Sequence, residues 1–156
     1  MKKVLIIGPF PNPISGVSIA NKVVEEILNA DLNFTVEKIN TSYPIFDEQI
    51  GEFSIQKFFF YLRINSSFFK VLKNNIIYIT PGQTFFGVLK YALFIVAASA
   101  LRKELIIHVH GNYLGKEYQS LKGFKRVLFY FLVSRFTKGI VLSNSLKHNL
   151  TPFLED

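Results

Sequence analysis

The chain has 156 residues, of which 49% are hydrophobic, and a formal net charge of +7 from 18 basic and 11 acidic residues. That length supports one domain with a real core and is too short for two. The absence of cysteine excludes disulfides and thiolate metal sites and is compatible with a reducing compartment. The positive charge favours an anionic partner, either phosphate, lipid headgroups or nucleic acid.

The first strand and helix are predicted on either side of a proline-rich loop. Val4–Ile7 is a continuous apolar run of the kind buried in a parallel sheet, and it ends at Gly8 and Pro9. That run is too short for the apolar region of a signal peptide, so the sequence predicts a cytoplasmic protein. A helix is predicted from Val17 onward. Its apolar stripe is Val17, Ala20, Val24, Ile27 and Leu28, with Asn21, Glu25 and Glu26 expected to face water.

The loop between them, Pro9–Ser18, is the first candidate ligand site. It lies beyond the carboxyl end of a strand, where open α/β sheets bind ligands. Ser15 is a predicted N-cap, and the amides of Gly16, Val17 and Ser18 are predicted to bind an anion or substrate. The loop contains neither a GxGxxG fingerprint nor a Walker motif. The alternative is a proline-stiffened turn without a ligand.

Strand-like and helical segments alternate along the rest of the chain. The predicted strands are Val4–Ile7, Phe34–Ile39, Ile76–Ile79, Leu105–Val109 and Gly139–Leu142. This rhythm predicts a single α/β domain with a doubly wound, mostly parallel, Rossmann-like sheet in three α/β/α layers. Asn40–Phe53 is predicted to be a long surface loop, and Asn144–Phe153 a short final helix.

Two strongly apolar segments raise the question of a membrane. Ser54–Lys73 has a narrow polar stripe of Gln56, Arg63, Ser67 and Lys70, which fits either a helix wedged against the sheet or one that meets a membrane or partner. Thr84–Leu101 is borderline in length for a membrane span and contains Lys90. The sequence therefore favours a buried or surface-seated helix there.

A histidine-containing strand end is the second candidate site. In IIHVHGNYLG, from Ile106 to Gly115, His108 and His110 alternate with apolar residues and point to the same face. His110 is at the ligand-facing end and is the candidate catalytic residue, whereas His108 is predicted to be a hydrogen-bonded core histidine. Gly111, Asn112 and Tyr113 are predicted to bind substrate. Two histidines without a third ligand do not predict a metal site.

Two further strands should end at the same side of the sheet, where the carboxyl ends of the parallel strands meet; we call this side the rim. Thr80 and Gln83 follow the third strand, and Ser143 and Asn144 follow the fifth; all four are predicted to contact a hydroxyl-rich substrate. No serine occupies a G-x-S-x-G elbow, so a hydrolase is not supported.

A group of basic residues follows the loop at residues 111–115, which we call the histidine loop. Lys122, Lys125 and Arg126 have the spacing of one helical face, and Lys116 precedes them. These residues either bind phosphate or form a solvated surface. Nucleic-acid binding would need interleaved aromatic residues or a recognisable module, and the sequence shows neither.

Taken together, GPFPNPISGVSIAN, IIHVHG and VLSNSLKHNLTPFL resemble the N-terminal half of a family 4 glycosyltransferase of the GT-B fold. Members of that family commonly have a proline-rich first loop ending in two glycines, a histidine at the end of the fourth strand, and a fifth strand leading into S-x-S-L-K. The resemblance covers essentially the whole chain. Ser15 stands here where the family often has the first glycine.

The resemblance implies the acceptor-side half of a two-domain retaining glycosyltransferase, with the donor-binding half outside this chain. The amides around Gly16 would approach donor phosphate or acceptor, and His110 would contact the transferring sugar. No cofactor or metal is implied; the nucleotide-sugar donor is a substrate, bound mainly by the other half. The natural setting would be capsule, O-antigen or exopolysaccharide assembly on a glycan or lipid-linked acceptor, at the inner face of the cytoplasmic membrane. We expect this chain alone to be inactive.

Two other functions fit the same sequence. One is a non-catalytic subunit that binds membrane and acceptor and recruits a separate donor-binding chain. The other is a free-standing phosphate-binding or nucleotide-binding module of flavodoxin-like type.

Overall fold

The computed structural model describes residues 1–43 and 55–154, and these form an α/β domain around a five-stranded sheet. The strands are β1 (Lys2–Gly8), β2 (Phe34–Asn40), β3 (Ile76–Ile79), β4 (Glu104–Val109) and β5 (Lys138–Val141). Their order is β2-β1-β3-β4-β5, and every neighbouring pair is parallel. The predicted Rossmann-like, doubly wound α/β fold is therefore confirmed, with an entirely parallel sheet.

The sheet centre is apolar because its strands are covered on both faces. Leu5, Ile6 and Ile7 of β1 are completely buried, and so are Ile77 and Ile79 of β3. Continuous apolar runs of this kind are characteristic of central parallel strands. All five predicted strands are present, with ends that differ from the prediction by only one or two residues.

Helices cover the two faces unequally. One face is covered by α1 (Gly16–Ala30). The opposite face is covered by a layer that comprises α2 (Ile55–Asn65), α3 (Lys70–Lys73), α4 (Phe85–Leu89), α5 (Ala92–Ala100), α6 (Leu114–Ser120) and α7 (Gly123–Val133). In that larger layer, α5 contacts both α3 and α7, and α7 contacts α4 and α6. We call this layer the helical face.

Helix α1 is rotated relative to the sequence prediction. Asn21, expected to face water, is completely buried, and Ile27, expected in the core, is 64% exposed. The contacts of α1 with the sheet are made by Val24 and Leu28. The reason for this orientation is a buried hydrogen-bond network at Asn21, described below, which a pattern of apolar residues does not reveal.

The two apolar segments are interrupted rather than continuous. The segment predicted as one helix over Ser54–Lys73 comprises α2, a 3₁₀ turn at Ser66–Phe69 and α3; Ser54 itself lies outside the described residues, as does most of the loop predicted over Asn40–Phe53. The segment Thr84–Leu101 is divided into α4 and α5. Among the described residues, no helix is long and apolar enough to cross a membrane.

The final helix predicted over Asn144–Phe153 is shorter and of another type. It is a 3₁₀ helix at Asn144–Asn149, followed by turns that bring Leu150 and Phe153 into the core. The order of the strands places a topological switch between β1 and β3, because β1 continues to β2 on one side and β3 to β4 on the other. Ligands of open α/β sheets bind at such points.

Candidate functional site

The N-terminus of α1 presents exposed backbone at the switch point. Ser15 is its N-cap: the Ser15 Oγ accepts a hydrogen bond from the Ser18 amide at 3.1 Å, and the Ser15 amide donates to the Ser18 Oγ at 2.8 Å. Ser15 and Gly16 are exposed, and a Cβ built on Gly16 would meet nothing within 4 Å. Packing within the described chain does not require glycine there, so the open space is available to a ligand.

Ser18 does not belong to the accessible set. Its side chain is completely buried, and its hydroxyl donates towards the carbonyl oxygens of Pro13 and Ser15. Its amide is occupied by the Ser15 Oγ. The expectation that Ser18 binds an anion is therefore corrected, because the capping box uses both of its polar groups. The amides of Gly16 and Val17 are the ones near the surface.

A buried amide network joins this loop to the end of β3. The Asn21 Nδ2 donates to the Pro9 carbonyl and to the Thr80 Oγ1, each at 2.8 Å. Thr80 is buried, so its hydroxyl supports the loop rather than a substrate, contrary to prediction. A Cβ on Gly8 would collide with the Thr80 hydroxyl and the Asn21 amide. The Asn21 Oδ1 is buried without a hydrogen-bond partner among the described residues.

Gln83 holds the ends of β3 and β4 together. Its Nε2 donates to the His110 carbonyl at 3.0 Å, and its Oε1 accepts from the amides of Tyr113 and Leu114 at 2.6 and 3.1 Å. Gly111 has a φ of 143° and packs so closely on this side chain that a Cβ would collide with it. Gln83, predicted to bind substrate, is therefore a structural bridge with its polar atoms in use.

His108 lies against the imidazole of His110, with the two ring planes tilted by 39°. Its ring centroid is 4.0 Å from that of His110, which confirms that both point to the same face of β4. The His108 Nδ1 forms a hydrogen bond with the Tyr78 hydroxyl, as expected for a structural histidine. Burial and the neighbouring His110 lower the pKa of His108 to about 4. Burial also raises the pKa of Tyr78 to about 12. Both groups are therefore neutral near neutral pH.

His110 is the best-placed reactive group at the rim. Its ring is partly buried, and its Nε2 is inaccessible to water yet has no hydrogen-bond partner among the described residues. Burial lowers its pKa. A neutral imidazole can exchange a hydrogen bond with a sugar hydroxyl, but the Nε2 is closed to solvent here, so the ring must turn outward before a ligand reaches that nitrogen.

The remaining predicted residues are exposed on the same edge of the sheet. Asn112 and Tyr113 follow β4, and Ser143 and Asn144 follow β5. The Ser143 Oγ lies 2.7 Å from the Ser145 Oγ. Because β5 is three strands from β1, its end is about 14 Å from the proline-rich loop. Ser143 and Asn144 can meet a ligand bound at Gly16 only if that ligand is extended.

The surroundings of the rim are open rather than enclosed. A groove of about 540 Å³ lies at the free edge of β5, lined by Ile106, Ile140 and Leu150 among others. A second groove, of about 300 Å³, lies beside β2 and includes Arg63 and Lys70. Within the described residues, no group of three or more His, Asp or Glu side chains is placed to hold a metal ion.

The basic group beyond the histidine loop lies on the helical face. Lys122 is the N-cap of α7 rather than part of it. The Lys125 Nζ lies 5.7 and 5.8 Å from the ring centres of Phe85 and Phe86, and the Arg126 guanidinium 4.7 Å from that of Tyr118. These contacts place both cations over the aromatic surface of the helical face.

Asn21 and Tyr78 are the site residues that sequence reasoning missed. The sequence did contain a signal for Asn21. It is a side-chain amide in the second turn of a helix that begins at a ligand loop, and a polar residue at that position can bind the loop by hydrogen bonds. For Tyr78 the signal was its register: it points to the same face as His108 on the neighbouring strand. Comparisons of this chain with protein-family models, with curated proteins and with solved structures gave no match.

Proposed function

We propose that this chain is the acceptor-binding half of a retaining glycosyltransferase of the GT-B fold. It would act with a nucleotide-sugar donor on a glycan or lipid-linked acceptor in cell-surface polysaccharide synthesis, as a hexosyltransferase or a related enzyme. The observation that carries the proposal is the half-buried ring of His110 at the end of β4, next to the switch point at which the N-terminus of α1 is open at Gly16.

The two groups suit the two parts of such a substrate. The amides of exposed Gly16 and half-buried Val17, at the positive end of the α1 dipole, favour a phosphate or another anionic group. The neutral His110 favours a sugar hydroxyl. Tyr113, with its ring partly exposed beside His110, offers an apolar surface on which a sugar ring can stack.

The role of His110 is to orient the sugar rather than to transfer a proton from a charged state. With a lowered pKa it is neutral at physiological pH, and His108 and Gln83 fix the ring and the backbone on which it is mounted. In the proposed enzyme, stabilisation of the departing phosphate supplies much of the rate, and that group is held mainly by the donor-binding half.

Titration of the isotopically labelled chain, followed by nuclear magnetic resonance, tests this function. The probes are a short polyprenyl-diphosphate-linked N-acetylglucosamine, free disaccharides, and uridine diphosphate. We expect the lipid-linked sugar to shift the amide signals of Gly16 and His110. His110→Ala and Gly16→Val should each weaken binding at least about tenfold.

Asn33→Ala is the matched control, because Asn33 is an exposed polar residue in the turn before β2, at the opposite end of the strands. That variant should bind like the wild type. Failure of every sugar and lipid-linked probe to shift the signals of the rim would contradict the proposal.

A flavodoxin-like phosphate-binding or nucleotide-binding module is the second candidate. The strand order β2-β1-β3-β4-β5 favours it, because this is the order of flavodoxin-like sheets. The same titration separates the two, since tight binding of uridine diphosphate by the chain alone, without any response to sugars, would support the module and not the glycosyltransferase.

A further inference from the structure

The helical face combines exposed apolar side chains with a one-sided charge distribution. Residues 53–103 contain seven Lys or Arg and no Asp or Glu, and residues 118–154 contain six and none. These two stretches supply most of the helical face, namely α2 to α5 and α7. A solvated surface normally mixes both signs of charge, so the absence of acidic residues from α2 to α5 and from α7 points to an anionic partner.

Large apolar side chains are exposed on the same elements. Phe124 and Val127 of α7 are 76% and 66% exposed. The other exposed apolar residues of the layer include Leu62, Phe69, Leu72, Phe86, Leu93, Val96, Tyr130 and Phe131. Because α5 contacts both α3 and α7, the outward residues of these three helices form one broad surface rather than scattered sites.

Some of the basic side chains of this surface lie over its aromatic rings. Lys125 covers Phe85 and Phe86, and the Arg135 guanidinium is 4.2 Å from the ring centre of Phe131. A long basic side chain in this arrangement keeps its charge at the polar boundary while its stem covers apolar surface. That is how such side chains behave at a membrane interface.

The opposite face of the sheet shows that exposed apolar residues alone do not distinguish the helical face. Helix α1 also has exposed apolar residues, including Ile27, but it carries Glu25 and Glu26 among them, and Glu26 pairs with Lys22. In the described part of the chain, the helical face differs from α1 in joining apolar exposure to an excess of positive charge. Among the described residues, Glu117 of α6 is the acidic residue within the layer and accepts a hydrogen bond from the Phe85 amide, while Glu37 of the neighbouring β2 pairs with Lys70.

We propose that the helical face, centred on α5 and α7, docks on an anionic lipid bilayer as a peripheral membrane surface. The lysine and arginine side chains contact lipid phosphates, and Phe124, Val127 and their apolar neighbours enter the headgroup region. Charge complementarity selects a lipid surface over a second copy of this chain, because two such faces would repel each other. This proposal does not depend on the glycosyltransferase activity.

A vesicle flotation assay with matched triple variants tests the proposal. The vesicles are phosphatidylcholine alone and an equal mixture of phosphatidylcholine with phosphatidylglycerol. The test variant is Phe124→Ser/Lys125→Glu/Val127→Ser. The control is Lys22→Glu/Ile27→Ser/Leu32→Ser, whose apolar positions are 64% and 89% exposed on the other side of the sheet or at its end. Both variants change the net charge equally.

We expect the wild type and the control to bind the anionic vesicles, with salt-sensitive affinity, and to bind phosphatidylcholine far more weakly. The test variant should lose at least about tenfold in affinity for anionic vesicles. Lack of wild-type binding to the anionic vesicles, equal binding to both lipids, or equal losses in the two variants would overturn the proposal.

Hydrogen exchange of the wild type with and without anionic vesicles provides a readout that needs no folded variant. The expected result is slower exchange in α5 and α7 and unchanged exchange in α1. Protection confined to α1, or no change in any of the three helices, would overturn the proposal even if the test variant failed to fold.

Discussion

Gly8 and Gly16 are adjacent to the same loop but tolerate a side chain very differently. A Cβ on Gly8 would collide with the Thr80 hydroxyl and the Asn21 amide, whereas one on Gly16 would meet nothing. Gly8→Ala should therefore cost about 2–3 kcal/mol of unfolding free energy through overpacking. Gly16→Ala should change it by less than about 0.5 kcal/mol. Urea unfolding of both variants measures this difference, and a similar loss in the two would contradict the geometry.

His108 makes the stability of the fold dependent on pH. Its pKa is about 4 in the folded chain, below the ordinary value of 6.5. Between those values the unfolded chain binds a proton that the folded chain does not, so stability falls as the pH drops below about 6.5. The ring is only half-buried, which reduces the expected loss by pH 4 to on the order of 1–2 kcal/mol.

Urea unfolding at about pH 7 and about pH 5.5 tests this dependence before most carboxylates titrate. His108→Gln keeps a hydrogen-bonding group near Tyr78 and removes the titration, so its stability should change less between the two pH values than that of the wild type. An identical pH dependence in both proteins would show that another group is responsible.

At the scale of elements, Gln83 connects the β3 loop to the turn that starts α6. Its side chain makes three hydrogen bonds to backbone atoms across that junction. Gln83→Ala should cost about 2–3 kcal/mol, because it leaves partly buried backbone groups without partners. Asn112→Ala, at an exposed position in the same turn, should cost less than about 0.5 kcal/mol. Thermal or urea unfolding of the two variants tests this bridge. If the Gln83 side chain faced a substrate and did not support the fold, the two variants would lose equally little stability.

The elements differ in how far local sequence determines them. The β-branched run of β1 predicted a buried strand correctly because its neighbours in sequence suffice to show burial on both faces. The rotation of α1 was not predictable in this way, since the Thr80 hydroxyl that binds Asn21 lies 59 residues further along the chain. Gln83 was misassigned for the same reason: a polar residue at a strand end looks identical whether it faces a ligand or bridges two loops.

At the scale of the whole molecule, the alternation of strands and helices along the sequence did not predict the order of the strands in the sheet. The sequence indicated a parallel sheet, but the switch point between β1 and β3 follows only from the observed pairing. That pairing brings the α1 N-terminus, Thr80 and His110 onto adjacent strand ends, and it leaves Ser143 at the far end of the rim. The candidate site was thus predicted as a set of residues, and its division into supporting and exposed members required the tertiary contacts.

The same order of strands predicts an uneven distribution of stability across the sheet. Strand β3 has a neighbour on each side and is buried, whereas β5 is an edge strand in which Ile140 is exposed. Its amides should therefore exchange with solvent through local openings, faster than those of β3, which should need near-global unfolding. Native-state hydrogen exchange measures both. Protection of β5 equal to that of β3 would mean that the edge opens only with the whole sheet.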